Sequence, residues 1–261
     1  MTTIDKHDAG TFCWLELATT DRAKAVDFYT DLFGWTTRND DLPTGGVYTT
    51  FIAGDRPAAA AYDQSDEERS GGIPAHWNLY VSVDDVDKSA AVAQSAGATV
   101  LMEPFDVMDI GRMAVLADPT GAMINLWQPE QVHGFAVRDE HGSFTWTELL
   151  TSDTDRAAKF YGELFGWTTA VMEMPGQPPY TIFSSNGKQI AGMMAMPDMP
   201  PNWMIYFEVS DAEAIAKKAG SSGGRVEREP TTIPGVGTFA VFADPQGAAF
   251  AILQSENRGS S

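Results

Sequence analysis

The sequence predicts an α+β protein made of four βαβββ units in two tandem modules. The first observation is a repeat. Residues 12–21, Phe-Cys-Trp-Leu-Glu-Leu-Ala-Thr-Thr-Asp, return as residues 144–153, Phe-Thr-Trp-Thr-Glu-Leu-Leu-Thr-Ser-Asp, so Trp14, Glu16 and Asp21 map onto Trp146, Glu148 and Asp153 at an offset of 132. The second is a change of period: this stretch alternates as a strand, and the next residues place Ala25, Phe28, Tyr29, Leu32 and Phe33 on one helical stripe closed by Gly34. The third is a paired turn, Asp118-Pro-Thr-Gly121 and Asp244-Pro-Gln-Gly247. Its offset of 126 also links Trp77 to Trp203, Tyr80 to Tyr206 and Gly111 to Gly237.

Taken in order, residues 1–10 read as a loose leader. The first strand follows, with Cys13 on its packed face as a small buried hydrophobe, and Thr20 or Asp21 caps the helix. Residues 36–46 are polar and read as a loop before strands at 47–53 and 58–62. Residues 63–75, with Asp66-Glu-Glu-Arg69 and Gly71-Gly72, read as a mobile connection. His76 to Val83 is a strand, Asp85 caps a weaker helix, and strands near 99–102, 112–117 and 122–127 finish the first module. The second module repeats the order, with a helix at 212–219 and residues 256–261 as a frayed tail. The expected domains are 11–130 and 143–256.

Composition narrows the function. The chain has 36 Asp and Glu against 17 Lys and Arg, a net charge of −19, which repels nucleic acid and anionic membranes and favours a cationic small molecule. No apolar run is long enough to cross a bilayer, and the first ten residues lack a secretory core, so a cytoplasmic location is expected. A single cysteine excludes an intrachain disulfide.

The Phe-Tyr…Leu-Phe-Gly-Trp signature after the first strand and the Asp-Pro-x-Gly turn before the last resemble the vicinal oxygen chelate superfamily over about residues 11–255. This superfamily holds glyoxalases, bleomycin and fosfomycin resistance proteins and extradiol dioxygenases. The closest likeness is to two-module actinobacterial glyoxalase-like proteins of hydroxylase-type description. The resemblance implies curved, cup-like mixed sheets, and a monomer or homodimer. Members that hold a metal place a His or Gln seven residues before a helix-opening Asp and a Glu four residues after the hairpin glycine. Those positions here are Trp14, Asn78, Trp146, Met204, Asn125 and Ala251. None offers imidazole or carboxylate, so no metal and no cofactor is expected. His76 is expected on the opposite face, in a structural or rim role.

Alternation assigns the open face. In the first module it carries Trp14, Glu16, Asn78, Tyr80, Met123, Asn125 and Trp127; with Asp118 and Gly121 closing the hairpin as a pair, Arg112 falls opposite Trp127 and Ala114 opposite Asn125. Arg112 then either lines the cup or makes a cation-π pair with Trp127. In the second module the face carries Trp146, Glu148, Met204, Tyr206 and Glu208, with Thr238, Ala240 and Phe242. The first cup is the expected principal site.

Two functions fit. One is a metal-independent binding protein that sequesters or hands over a planar or amphipathic ligand, aromatic or cationic, such as an antibiotic or pathway metabolite. There Trp14, Tyr80 and Trp127 stack, Asn78 and Asn125 orient, and Glu16 attracts a basic group. The other is a glyoxalase-like lyase or isomerase, or a hydroxylase-type enzyme, acting on a small carbonyl or aromatic substrate. Its catalytic candidates are Glu16 or Glu148 as base and Tyr80 or Arg112 on the oxyanion.

Overall fold

A computed structural model describes residues 3–43, 45–173 and 179–256. The first module runs β1 (Phe12–Thr19), α1 (Arg22–Phe33), β2 (Thr36–Asp41), β3 (Val47–Ala53), β4 (Arg56–Asp63), α2 (Asp66–Ser70), β5 (His76–Ser82), α3 (Val86–Ser95), β6 (Thr99–Val107), β7 (Gly111–Ala117) and β8 (Met123–Pro129). The second runs β9 (Ser143–Thr151), α4 (Thr154–Phe165), β10 (Thr168–Met172), β11 (Tyr180–Ser185), β12 (Lys188–Ala195), β13 (Asn202–Glu208), α5 (Ala212–Ser221), β14 (Arg225–Ile233), β15 (Gly237–Ala243) and β16 (Ala249–Ser255). Each module is therefore two βαβββ units, as the repeat predicts.

The two units of a module share one open, mixed, eight-stranded sheet, in the order β2-β3-β4-β1-β5-β8-β7-β6 and its counterpart β10-β11-β12-β9-β13-β16-β15-β14. β1 lies antiparallel to β5 and parallel to β4, so the first strands of the units meet at the sheet centre. The aspartates Asp21, Asp85, Asp153 and Asp211 each accept a backbone N–H three residues on, which caps α1, α3, α4 and α5. Asp21, not Thr20, is the first cap.

Three segments are more ordered than their composition suggests. Residues 36–41 form the edge strand β2, exposed at every position and hence without an apolar signature. Within 63–75, Ser65 and Glu68 make a reciprocal capping box for the short α2. The expected leader is tied down: Ile4 N donates to Ala136 O, His7 Nε2 lies 2.9 Å from Phe135 O, and Gly10 N donates to Ser82 O. Of the expected tail, residues 257–261 lie outside the described residues.

The main core lies where the helix-bearing faces of the two sheets meet, and it draws on both modules. Phe207 of β13 packs on Phe33, Trp35 and Trp77 of the first module, and Phe12 packs on Trp167 and Trp203 of the second. Hydrogen bonds cross this seam in matched pairs. Tyr29 donates to Asp244 Oδ2 at 3.2 Å and accepts from Trp77 Nε1 at 3.0 Å; Tyr161 donates to Asp118 Oδ2 at 2.8 Å and accepts from Trp203 Nε1 at 2.9 Å. The other oxygen of each aspartate holds its own turn, Asp118 Oδ1 accepting from Gly121 N and Ala122 N, and Asp244 Oδ1 from Gln246 N and Ala248 N. Thus the Asp-Pro-x-Gly turn is a hairpin and a seam anchor at once.

Candidate functional site

With the helices in the seam, each sheet turns its other face outward, and the candidate side chains gather there. On the first outer face Trp14 lies opposite Tyr80, Glu16 opposite Asn78, and Asn125 beside Tyr80. Tyr80 Oη donates to Glu16 Oε2 at 2.6 Å, Tyr48 also bonds this carboxylate, and Trp14 Nε1 donates to Tyr48 Oη at 2.9 Å. Asn78 Nδ2 is 3.5 Å from Tyr62 Oη. Burial pushes the Glu16 carboxyl above the ordinary carboxylate range; the Tyr80 and Tyr48 hydroxyls pull it back, the Glu68 carboxylate raises it, and His76 lowers it. Glu16 remains partly open to solvent.

Asn125 is 2 % exposed and its Oδ1 has no hydrogen-bond partner. A buried amide oxygen left so costs on the order of 1–3 kcal/mol, which a donor reaching it would recover. Beside it Trp127 and Tyr80 form a cluster with Cys13, covered by Val107, Ile110 and Met113. Trp127 Nε1 donates to Val132 O at 2.8 Å. Its ring packs against Gly111, where a Cβ would come within 2.4 Å of it. Met123 stands exposed at the rim.

The second outer face repeats the frame. Tyr180 and Tyr206 each donate to one oxygen of Glu148 at 2.6 Å, and Trp146 Nε1 donates to Tyr180 Oη at 3.1 Å. The lining differs: Met194, Met204, Ala251 and Leu253 stand where the first face has Tyr62, Asn78, Asn125 and Trp127.

Four sequence placements need correction. Arg112 is not on the outer face: it pairs with Gln128, and its guanidinium holds Asp87 and Asp106 beside α3. The turn closes one residue later than assumed, Asp118 N donating to Ala122 O, so Met113 and Val115 face outward instead of Arg112 and Ala114. The same shift replaces Thr238, Ala240 and Phe242 by Phe239 and Val241, opposite Leu253 and Ala251. Cys13 is buried as expected, but as the extra residue of a β-bulge that sends it to Tyr80 and Trp127. His76 is two residues from Asn78 and so shares its face. Tyr48, Tyr62 and Tyr180 are additions to the site; the repeat of Tyr48 at Tyr180 was a signal for two of them.

Two grooves of about 330 and 370 Å³ lie at the seam, one along α3 to Glu163 and one between α1 and Pro245. The first is lined by small residues and Glu163, the second by Lys24, Asp27 and Asp31 with Phe28.

Comparison with known proteins fits this architecture. The model of the Glyoxalase/Bleomycin resistance protein/Dioxygenase superfamily matches residues 11–126 and again 143–252. The chain belongs to that superfamily. "Putative glyoxylase CFP32" of Mycobacterium tuberculosis is 40% identical over 251 residues, covering 95% of this chain and 96% of that protein. The "Anthracycline biosynthesis protein DnrV" of Streptomyces peucetius is 36% identical, covering 94% and 93%. Among solved structures, the 2,3-dioxygenase LapB from Pseudomonas sp. KL28 superposes with a TM-score of 0.67 at 15% identity, covering 100% of this chain and 95% of its own. The Mn(II)-bound glyoxalase from Novosphingobium aromaticivorans gives 0.65 at 16%, covering 97% and 86%. At these identities the superfamily structures attest the fold alone.

Several superfamily members hold a metal, and the donor set here does not fit one. The positions expected to ligate are indoles, amides, Met204 and Ala251. Glu16 and Glu148 sit on different sheets, each bonded by two tyrosines. Among the described residues no three His, Cys, Asp or Glu side chains group as a metal site.

Proposed function

We propose that the first outer face binds a planar, amphipathic, preferably cationic small molecule without a metal, and that the protein sequesters it or hands it on. The unpartnered, buried Asn125 oxygen carries this reading, because it asks for a ligand N–H or O–H beside two large rings. The partly open Trp14 supplies stacking area over the buried Tyr80 and Trp127, Asn78 and Asn125 orient, and Glu16, with Glu68 acting on it and Arg112 turned away, favours positive charge. Relatives named for anthracycline biosynthesis make an anthracycline the first probe, and support a role in antibiotic biosynthesis or resistance. We take the protein to be cytoplasmic, a monomer or homodimer; no helix of the described residues is long and apolar enough to cross a membrane. The test is a titration followed by tryptophan fluorescence, with elemental analysis of the purified protein. Saturable quenching by the anthracycline in metal-free protein, lost in Asn125→Leu, supports the reading; a stoichiometric transition metal or zinc, or no response to any cationic aromatic, sinks it.

The raised Glu16 carboxyl, bonded by the Tyr80 hydroxyl, favours one other reading. In it Glu16 takes a proton from a bound carbonyl compound and Tyr80 steadies the oxyanion, a lyase or isomerase step needing no metal. Turnover abolished by Glu16→Gln with binding retained would select it.

A further inference from the structure

The second outer face is not a worn copy of the first. Its floor is an apolar cluster, separate from the seam core, in which Leu150, Met204, Tyr206 and Ala251 are packed by the partly open Trp146, Met194, Phe239 and Leu253. At its rim stands Arg228, where the repeat offset of 126 puts Met102 in the first module. Arg228 pairs with Val241, and its guanidinium lies 4.8 Å over the Phe239 ring. Seven other described arginines hold an Asp or Glu. Among the described residues Arg228 has no carboxylate within ion-pair distance, in a chain with 36 acidic residues. It is exposed, yet near enough to act on the Tyr206 hydroxyl that bonds Glu148.

We infer that this face is a second small-molecule site, selective for an apolar carboxylate, distinct from the cation-selecting face of the first module. Arg228 takes the carboxylate through its forked N–H groups at the rim, the geometry guanidinium supplies best. The apolar body lies inward on Met194, Met204, Phe239 and Leu253, where flexible thioethers adapt to its shape. Glu148 fixes the orientation: its negative charge at the floor repels the ligand's carboxylate and drives it outward to Arg228. The first face cannot do this, since Met102 gives no positive charge at its rim.

Calorimetric titration of the full chain tests the assignment with 2-naphthoate, its neutral analogue naphthalene-2-methanol, and 2-naphthylmethylammonium. The wild type is expected to bind naphthoate more tightly than the alcohol. Arg228→Met should weaken naphthoate about tenfold or more and leave the alcohol unchanged, with Arg228→Lys between them. Because Arg228 is exposed, an unaltered melting curve will show that the variant folds. Asn125→Leu should weaken the ammonium and spare naphthoate, so failure of the first site and failure of this one read out separately. Absent naphthoate binding, equal affinity for naphthoate and alcohol, naphthoate affinity that survives Arg228→Met, or naphthoate lost in Asn125→Leu would each overturn the inference.

Discussion

The seam and the outer faces come from the same duplication and have had opposite fates. Across the seam nearly every polar role is held twice: Tyr29 and Tyr161, Trp77 and Trp203, Asp244 and Asp118, and the indoles of Trp35 and Trp167 on Gly142 O and Gly10 O. On the outer faces only the Trp-Glu-Tyr-Tyr frame repeats, while Asn78, Asn125 and Trp127 give way to Met204, Ala251 and Leu253. A buried polar group must keep its partner in both copies, so the polar pairs of the seam persist even where its apolar residues differ, as Phe207 and Phe250 do from Val81 and Ile124. A face whose polar atoms meet water is freer to diverge, and on the proposed reading that divergence separates the ligands of the two modules.

The comparison breaks most visibly at the seam. Phe207 is fully buried among Phe33, Trp35, Trp77 and Phe250, so Phe207→Ala should cost about 3–5 kcal/mol. Denaturant unfolding should show it in one transition, because the core belongs to both modules. Two well-separated transitions would mean that each sheet folds on its own side chains. A smaller loss, about 1–3 kcal/mol each, is expected for Tyr29→Phe and Tyr161→Phe, which strip a hydroxyl from a buried Asp and a buried indole. Similar losses from the two would show that the seam is symmetric in energy as well as geometry.

The repeat made the βαβββ order and the cap positions legible, because capping residues and stripe spacing are local and occur in duplicate. Hairpin register was not. Asp118 uses its side chain to gather the amides of Thr120, Gly121 and Ala122, which lengthens the turn by one residue and moves Arg112 across the sheet. The bulge at Cys13 was hidden for the same reason, since alternation counts residues and a bulge adds one. Glu16, Trp14 and Tyr80 were readable as a cluster on one face because they repeat. Tyr62 was not, having Met194 as its counterpart, and only the pairing of β3 with β4 brings it to Asn78.

Asn125 distinguishes a ligand face from an extension of the core. If its amide serves packing, Asn125→Leu should cost as much as a seam substitution. If it waits for a ligand, the change removes an unpaired polar group, and the variant should match or slightly exceed the wild type, by about 1 kcal/mol at most, while losing cationic-probe affinity. Thermal melts with and without probe decide: a stabilising shift on probe addition should be present in the wild type and absent in the variant.

The subtlest effect is in pH. Burial raises the Glu16 carboxyl in the folded state, so the native protein holds that proton more tightly than the unfolded chain does. Its contribution therefore favours the fold in acid and declines as pH rises from the unfolded value, about 4.3, through the folded one. Binding of a cation runs the other way, since only the ionised carboxylate attracts it, and affinity for the ammonium probe should climb across the same interval. Glu16→Gln should flatten both dependences, leaving the stabilities of the two proteins closer at low pH than the affinities are at high pH. Glu148 lies under the rim charge of Arg228, so Glu148→Gln should leave the ammonium profile untouched. An ammonium profile that changed with Glu148 rather than Glu16 would move the cation site to the second module and reverse the assignment of the two faces.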